Sequence, residues 1–253
     1  MDGDEQLPHD RVHGHGDPNP RPDRVRTGLV GGSRGGLLTD VHGRLPGEGD
    51  DGAAPTTGLS KRSGGRTPPP AIRVPAGLVV LVGPPASGKT SFVRALIVRR
   101  QIDAEAVVST DEIRAEFFGT SPAEAESGAA DALIFEERDR RIAVRLAAGH
   151  SAVAESTNVT PQARARLIAI AGLFDASVTM LRFDPDVIDL LQQHTERGRT
   201  DLTAADVRAY AAVMTREAGA DQLRSEGATA VHDVPGRREA ITPSEAAARF
   251  SFA

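Results

Sequence analysis

Residues 78 to 90 read LVVLVGPPASGKT. The apolar, β-branched run at 78–82 predicts a buried strand, which breaks into Gly83-Pro84-Pro85-Ala86-Ser87-Gly88-Lys89-Thr90, a full match to the pattern G-x-x-x-x-G-K-[ST]. Each residue type has a physical reason to be there. Gly83 and Gly88 let the backbone curl so that successive N–H groups point inward at an anion. Lys89 reaches the β- and γ-phosphates, and the Thr90 hydroxyl can take a Mg²⁺ coordination position, with Ser91 a further hydroxyl within reach. The helical pattern at 91–100 directs a positive helix end at the same anion. The stretch therefore predicts a site for a nucleoside triphosphate. Only two of the 30 cationic residues are lysines, Lys61 and Lys89, so the one lysine after residue 61 sits where a compact ammonium is wanted.

Working outward, composition divides the 253 residues unevenly. Residues 1–72 hold 15 of the 26 glycines and 9 of the 17 prolines, and no Phe, Tyr or Trp. Such a stretch cannot build a core, and its 10 acids against 9 bases do not make a basic nucleic-acid tail. It is expected to be a disordered extension, dispensable for the fold. No stretch has the length and apolarity of a signal peptide or membrane span. His13 and His15 lack a third fixed ligand for a metal. The absence of cysteine excludes disulfides, thiol catalysis and Cys-ligated zinc, and is compatible with a reducing cytoplasm. A net charge of −5 argues against broad nucleic-acid binding, though not against gripping a single strand end.

From residue 73 onward strand and helix patterns alternate, which predicts an α/β fold: a three-layer P-loop NTPase with a parallel sheet flanked by helices. Strands are expected at 79–82, 106–109, 152–154, 177–183 and 228–232. Helices are expected at 91–100, 122–149, 161–171, 186–196 and 203–216. Thr160 with Pro161, and Thr203, read as helix starts, and Gly149 as a stop. The folded domain is placed at 73–236, followed by a tail, 237–253, in which Thr242-Pro243 opens a short helix. In such sheets ligands bind beyond the carboxyl ends of the strands, and the residues of interest fall there.

A phosphate loop alone does not separate a kinase from a GTPase or a motor. The guanine-selective N-K-x-D pattern is absent. After the second strand comes Ser109-Thr110-Asp111-Glu112-Ile113-Arg114. A carboxylate at Asp111 can accept a proton from a substrate hydroxyl and aim it for in-line attack. Arg114, one helical turn on, can hold an anionic group of the acceptor. The plainer reading makes Thr110 a helix cap and Asp111 a partner of the helix's positive end. Phe117, Phe118 and Phe135 could stack on a base or simply join the core.

GPPASGKT, STDEIR, RLAAGHSAVAESTNVTPQAR (145–164), ERGRTDLTAADVRAY (196–210) and LRSEGATAVHDV (223–234) together resemble, in order, the kinase module of the bacterial and phage polynucleotide 5′-kinases. The resemblance spans about 75–234. It implies an ATP- and Mg²⁺-dependent kinase moving the γ-phosphate of ATP to a hydroxyl, with the loop 83–91 holding ATP. It further implies Lys89 and Asp111 as catalytic groups, Arg114 as the holder of a substrate phosphate, and Arg197, aided by Arg199, as a lid charge closing on the triphosphate. Asn158, grouped with Arg114 on the substrate side, is expected to fix loop geometry by bonding the backbone. There are departures. Gln193-His194 replaces the family's Arg-Asn pair, Glu155 stands where the family usually has Asp, and no phosphatase or ligase module follows. The same core serves kinases of small hydroxyl compounds, so the acceptor is either a 5′-hydroxyl nucleic-acid end or a small alcohol; a low-turnover ATP-binding regulator is the reading from another class.

Much of the extension, 1–72, is expected to be an over-long start assignment. Mass spectrometry of the protein from its natural source checks this, since peptides recovered from 1–60 would contradict it.

Overall fold

A computed structural model describes residues 71–119, 128–198 and 202–253. The expected disorder of the extension concerns, up to residue 70, residues outside that set, as do the start of the 122–149 helix and Arg199. The chain runs β1 (Ile72–Val74), β2 (Gly77–Val82), α1 (Lys89–Val98), β3 (Val107–Ser109), α2 (Thr110–Phe118), α3 (Gly128–Ala147), β4 (Ala152–Glu155) and α4 (Pro161–Gly172). It continues through β5 (Ser177–Arg182), α5 (Val187–Arg197), α6 (Ala204–Glu217), α7 (Ala220–Ser225), β6 (Ala230–Asp233), α8 (Pro243–Ala247) and β7 (Phe250–Phe252).

Five strands form one parallel sheet in the order β3-β4-β2-β5-β6. All six residues of β2 are buried. A parallel strand crossed by helices on both faces has no solvent side, which is why 78–82 is continuously apolar instead of alternating. Leu78, Val80 and Val82 pack with Ile134 and Ile142 of α3, Leu167 of α4 and Met214 of α6. Val79 and Leu81 face the other way, against Phe92 and Leu96 of α1 and Ala247 of α8. The chain leaves β2 toward β3 and β4 on one side and later returns to β5 and β6 on the other. The crevice this reversal opens lies at the carboxyl end of β2, where the phosphate loop begins.

The expected starts and stops hold at the caps. Thr160 accepts from the Ala163 N–H with Pro161 in the first turn of α4, and Thr203 forms a capping box with Asp206 at α6. Gly149, at φ 74°, follows α3, with the His150 N–H bonded to the Arg145 carbonyl. At α2 the cap is Ser109, whose hydroxyl accepts from the Glu112 N–H, and not Thr110. The helix α7 was not legible, since six residues give too little periodicity.

The end of the chain is more than a tail with a helix. β7 pairs in parallel with β1, Ile72 opposite Phe250 and Val74 opposite Phe252. Phe250 stacks edge-on against Phe92 of α1 (5.6 Å between centroids), and Phe92 against Phe183 (5.4 Å). Residues after 236 thus belong to the same core as the phosphate-loop helix. Phe250→Ala is expected to lower the stability of the domain by about 3–5 kcal/mol in urea unfolding, the usual range for a buried Phe; a loss below about 1 kcal/mol would separate the tail from the core.

Candidate active site

The loop between β2 and α1 has the shape an anion cradle needs. Ala86 and Gly88 have φ of 64° and 94°, which turn their N–H groups inward. Gly83 is required for a different reason: a Cβ there would lie 2.8 Å from Phe183 Cβ and 2.9 Å from the Phe183 carbonyl oxygen. Lys89 is buried, and its ammonium donates to the carbonyls of Gly83 and Pro84, both at 2.7 Å, and to Ser87 Oγ at 3.3 Å. Those are the bonds that phosphate oxygens would take over. Pro85 and Ser87 complete the curve, and Ser91 faces a cavity beside it.

Across the loop stands Glu155, the last residue of β4, buried and close enough to the Thr90 hydroxyl for it to favour the carboxylate. Burial pushes its carboxyl up from the ordinary glutamate range; Thr90 and Lys89 oppose that shift, and Asp111 and Glu112 add to it. Two acids therefore share this end of the sheet in unlike settings. Glu155 is enclosed beside Thr90, while Asp111 is exposed on the first turn of α2. Among the described residues no group of three acids or histidines could hold a metal by itself. A Mg²⁺ ion fits this donor set by arriving with nucleotide phosphates and taking Thr90 and Glu155 as protein partners.

The remaining expected residues fall in three places. Arg114 is on α2, ion-paired with Asp131 of α3. Asn158 is placed for support and not for contact with an acceptor: it is fully buried, at φ 46°, and its amide donates to the Leu81 carbonyl at 2.9 Å. Arg197 ends α5, exposed, and lines a cavity of about 620 Å³ that opens from Ser87, Gly88 and Ser91. Arg199 lies outside the described residues.

That cavity holds residues sequence reasoning passed over. Arg182 at the end of β5 bonds Asp233 at 2.6 Å and Asp184 at 3.0 Å, and Arg237 bonds Glu196 of α5 at 2.7 Å. No single sequence pattern marks them together, because Arg182 and Asp233 end separate strands, β5 and β6, and Arg237 lies beyond the second. Phe135 is buried under the Arg138 guanidinium, 4.9 Å from its ring centroid, and Phe118 packs on the core, while Phe117 is exposed.

Comparison with known proteins bears on this geometry. The AAA domain family model matches residues 78–217, and the chain belongs to that family. No curated protein matches the sequence. Among solved structures, the chain is similar to one in the Pnkp1/Rnl/Hen1 RNA repair complex, at 21% identity and TM-score 0.49, over 56% of this chain and 44% of that one. It thus spans less than half of that chain. It is also similar to a protein of Chloroflexus aurantiacus (17%, TM-score 0.49, 68% of this chain and 92% of that one). Shikimate kinase from Acinetobacter baumannii is a third likeness, at 16%, TM-score 0.45, and 69% and 90% coverage.

The setting of Glu155 has a measurable consequence. With its pKa raised on folding, the folded state binds more protons than the unfolded one above the ordinary glutamate range, so this residue's contribution to stability falls as pH rises through that interval. Glu155→Gln is expected to remove that fall. Relative to the parent, the nucleotide-free variant should gain melting temperature between pH 5 and pH 7, and lose most of the stabilisation conferred by Mg·ATP. A variant that loses ground to the parent over the same interval contradicts the assignment.

Proposed function

We propose that the protein is an ATP-dependent kinase that phosphorylates a hydroxyl acceptor, the loop 83–91 binding the nucleotide. The observation that carries this reading is the pair of unlike carboxyls at adjacent strand ends, Glu155 enclosed against Thr90 and Asp111 open to solvent. Bound Mg·ATP would supply the γ-phosphoryl group and neutralise part of its charge. Lys89 and the N–H groups of the loop hold the phosphate oxygens, and the start of α1 adds its positive end. Thr90 and Glu155 orient the metal side. Asp111 takes the proton from the acceptor hydroxyl and aims its oxygen, and its exposure leaves room for an acceptor in front of it. Arg197, at the end of a helix joined to α6 mainly through Leu190, Val207 and Ala211, is the charge brought over the phosphates as the lid closes.

The acceptor is an alcohol, either a 5′-hydroxyl nucleic-acid end or a small molecule. No described helix is long and apolar enough to cross a membrane, and the reading places the enzyme in the cytoplasm.

Asp111→Asn should lower kcat by about 10²–10⁴-fold, the range for loss of a general base, with ATP affinity kept within about threefold. Lys89→Ala should abolish nucleotide binding. Turnover assayed as ADP release beside calorimetric ATP binding separates the two; full turnover in Asp111→Asn would remove Asp111 from the chemistry.

A further inference from the structure

We infer that Asp131 sets the acceptor class: by occupying Arg114 it reserves the acceptor side of the cleft for alcohols that carry no phosphate beside the reacting hydroxyl, uncharged or cationic ones. This rests on the kinase reading above. Arg114 is one helical turn from Asp111 along α2, close enough for a group of the acceptor to reach it while its hydroxyl meets the base. Its guanidinium is already bonded to the Asp131 carboxylate, and the Asp131 side chain is only 9% exposed against 26% for Arg114.

A phosphate entering here would have to break that pair and leave a nearly buried carboxylate facing it, a repulsion added to a desolvation cost. No other cation of the flanking helices stands in reserve. Arg138 is bonded to Asp139, Arg140 to Glu137, and Arg141 to both Glu137 and Glu116. Arg145 donates to the Ser151 carbonyl. Together α2 and α3 carry seven acids against five arginines, so the pair is acidic by two charges. Asp111 and Glu112 lie near enough to Glu155 to repel its carboxylate, which adds to the acidity of this end of the sheet, and the loop lysine is committed to the nucleotide side. Neutral polyols and amino alcohols suit such a wall. A phosphorylated strand or sugar phosphate does not.

The test uses the full chain with Mg²⁺ and the non-hydrolysable imido analogue of ATP filling the phosphate loop, and titrates inorganic phosphate by calorimetry. The parent should bind phosphate no tighter than its surface does at large, while Asp131→Asn gains at least about tenfold. The gain should vanish in Asp131→Asn combined with Arg114→Met, and should not arise in Asp131→Glu, which keeps the charge. Melting curves confirm that each variant is folded. Tight phosphate binding by the parent, or no gain in a folded Asp131→Asn, overturns the inference. No turnover is involved, so the two readings fail separately: absence of label transfer to any alcohol counts against the kinase, and an unchanged phosphate affinity counts against the role of Asp131.

Discussion

The side-chain amide of Asn158 donates to the carbonyl of Leu81, 77 residues earlier, and beside it the Gly83 N–H donates to the Thr157 carbonyl at 2.9 Å. These bonds fasten the carboxyl end of β2 to that of β4. Asn158 achieves this in a left-handed backbone conformation that asparagine tolerates better than most residues. Its own carbonyl is held by Arg164, a fully buried guanidinium that also bonds Glu226 at 2.6 and 2.7 Å and the Glu217 carbonyl at 2.6 Å. A buried arginine satisfied by a carboxylate and two carbonyls is costly to disturb, because removing one partner strands a charge. Helices α4, α6 and α7 are thereby tied to the loop that sets Glu155 opposite Thr90.

From that fastening the electrostatics of the site follow. The phosphate loop opens where two strands diverge, so its N–H groups, Lys89 and the start of α1 converge on one anion position. Glu155 closes one side with a carboxyl that burial holds toward its protonated form until a metal or cation compensates it. Asp111 stands outside in solvent. The same fold thus sets two carboxyls in unlike surroundings at one end of the sheet, Glu155 buried and Asp111 exposed. The aromatic contacts of Phe92 with Phe183 and Phe250 brace α1 from the opposite face, so the strand at the chain's end supports the helix that carries Lys89.

Most of this architecture was legible because it is local. The glycine-lysine loop, the β-branched strands and the Thr160-Pro161, Thr203 and Thr242-Pro243 starts each encode their geometry in adjacent residues. The parts that were not legible depend on distant partners. Arg114 read as a clamp for an acceptor phosphate, and nothing within a helical turn shows that Asp131, 17 residues on and on another helix, meets it. Phe250 read as part of an appendage because a three-residue strand pairs only with another three-residue strand at the far end of the domain. Arg182, Asp233 and Arg237 were passed over because a cavity wall assembled from separate strand ends has no sequence period.

The central claim is phosphoryl transfer from a nucleotide held by this loop to an alcohol in front of Asp111. Its most direct measurement offers γ-labelled ATP and Mg²⁺ to the full chain with a panel of uncharged and amino alcohols beside a 5′-hydroxyl oligonucleotide, and identifies the labelled product by mass. The account expects label on an alcohol of the panel. Label that leaves ATP only as inorganic phosphate, whichever acceptor is present, would contradict it and make the protein a hydrolase or a nucleotide-responsive binder.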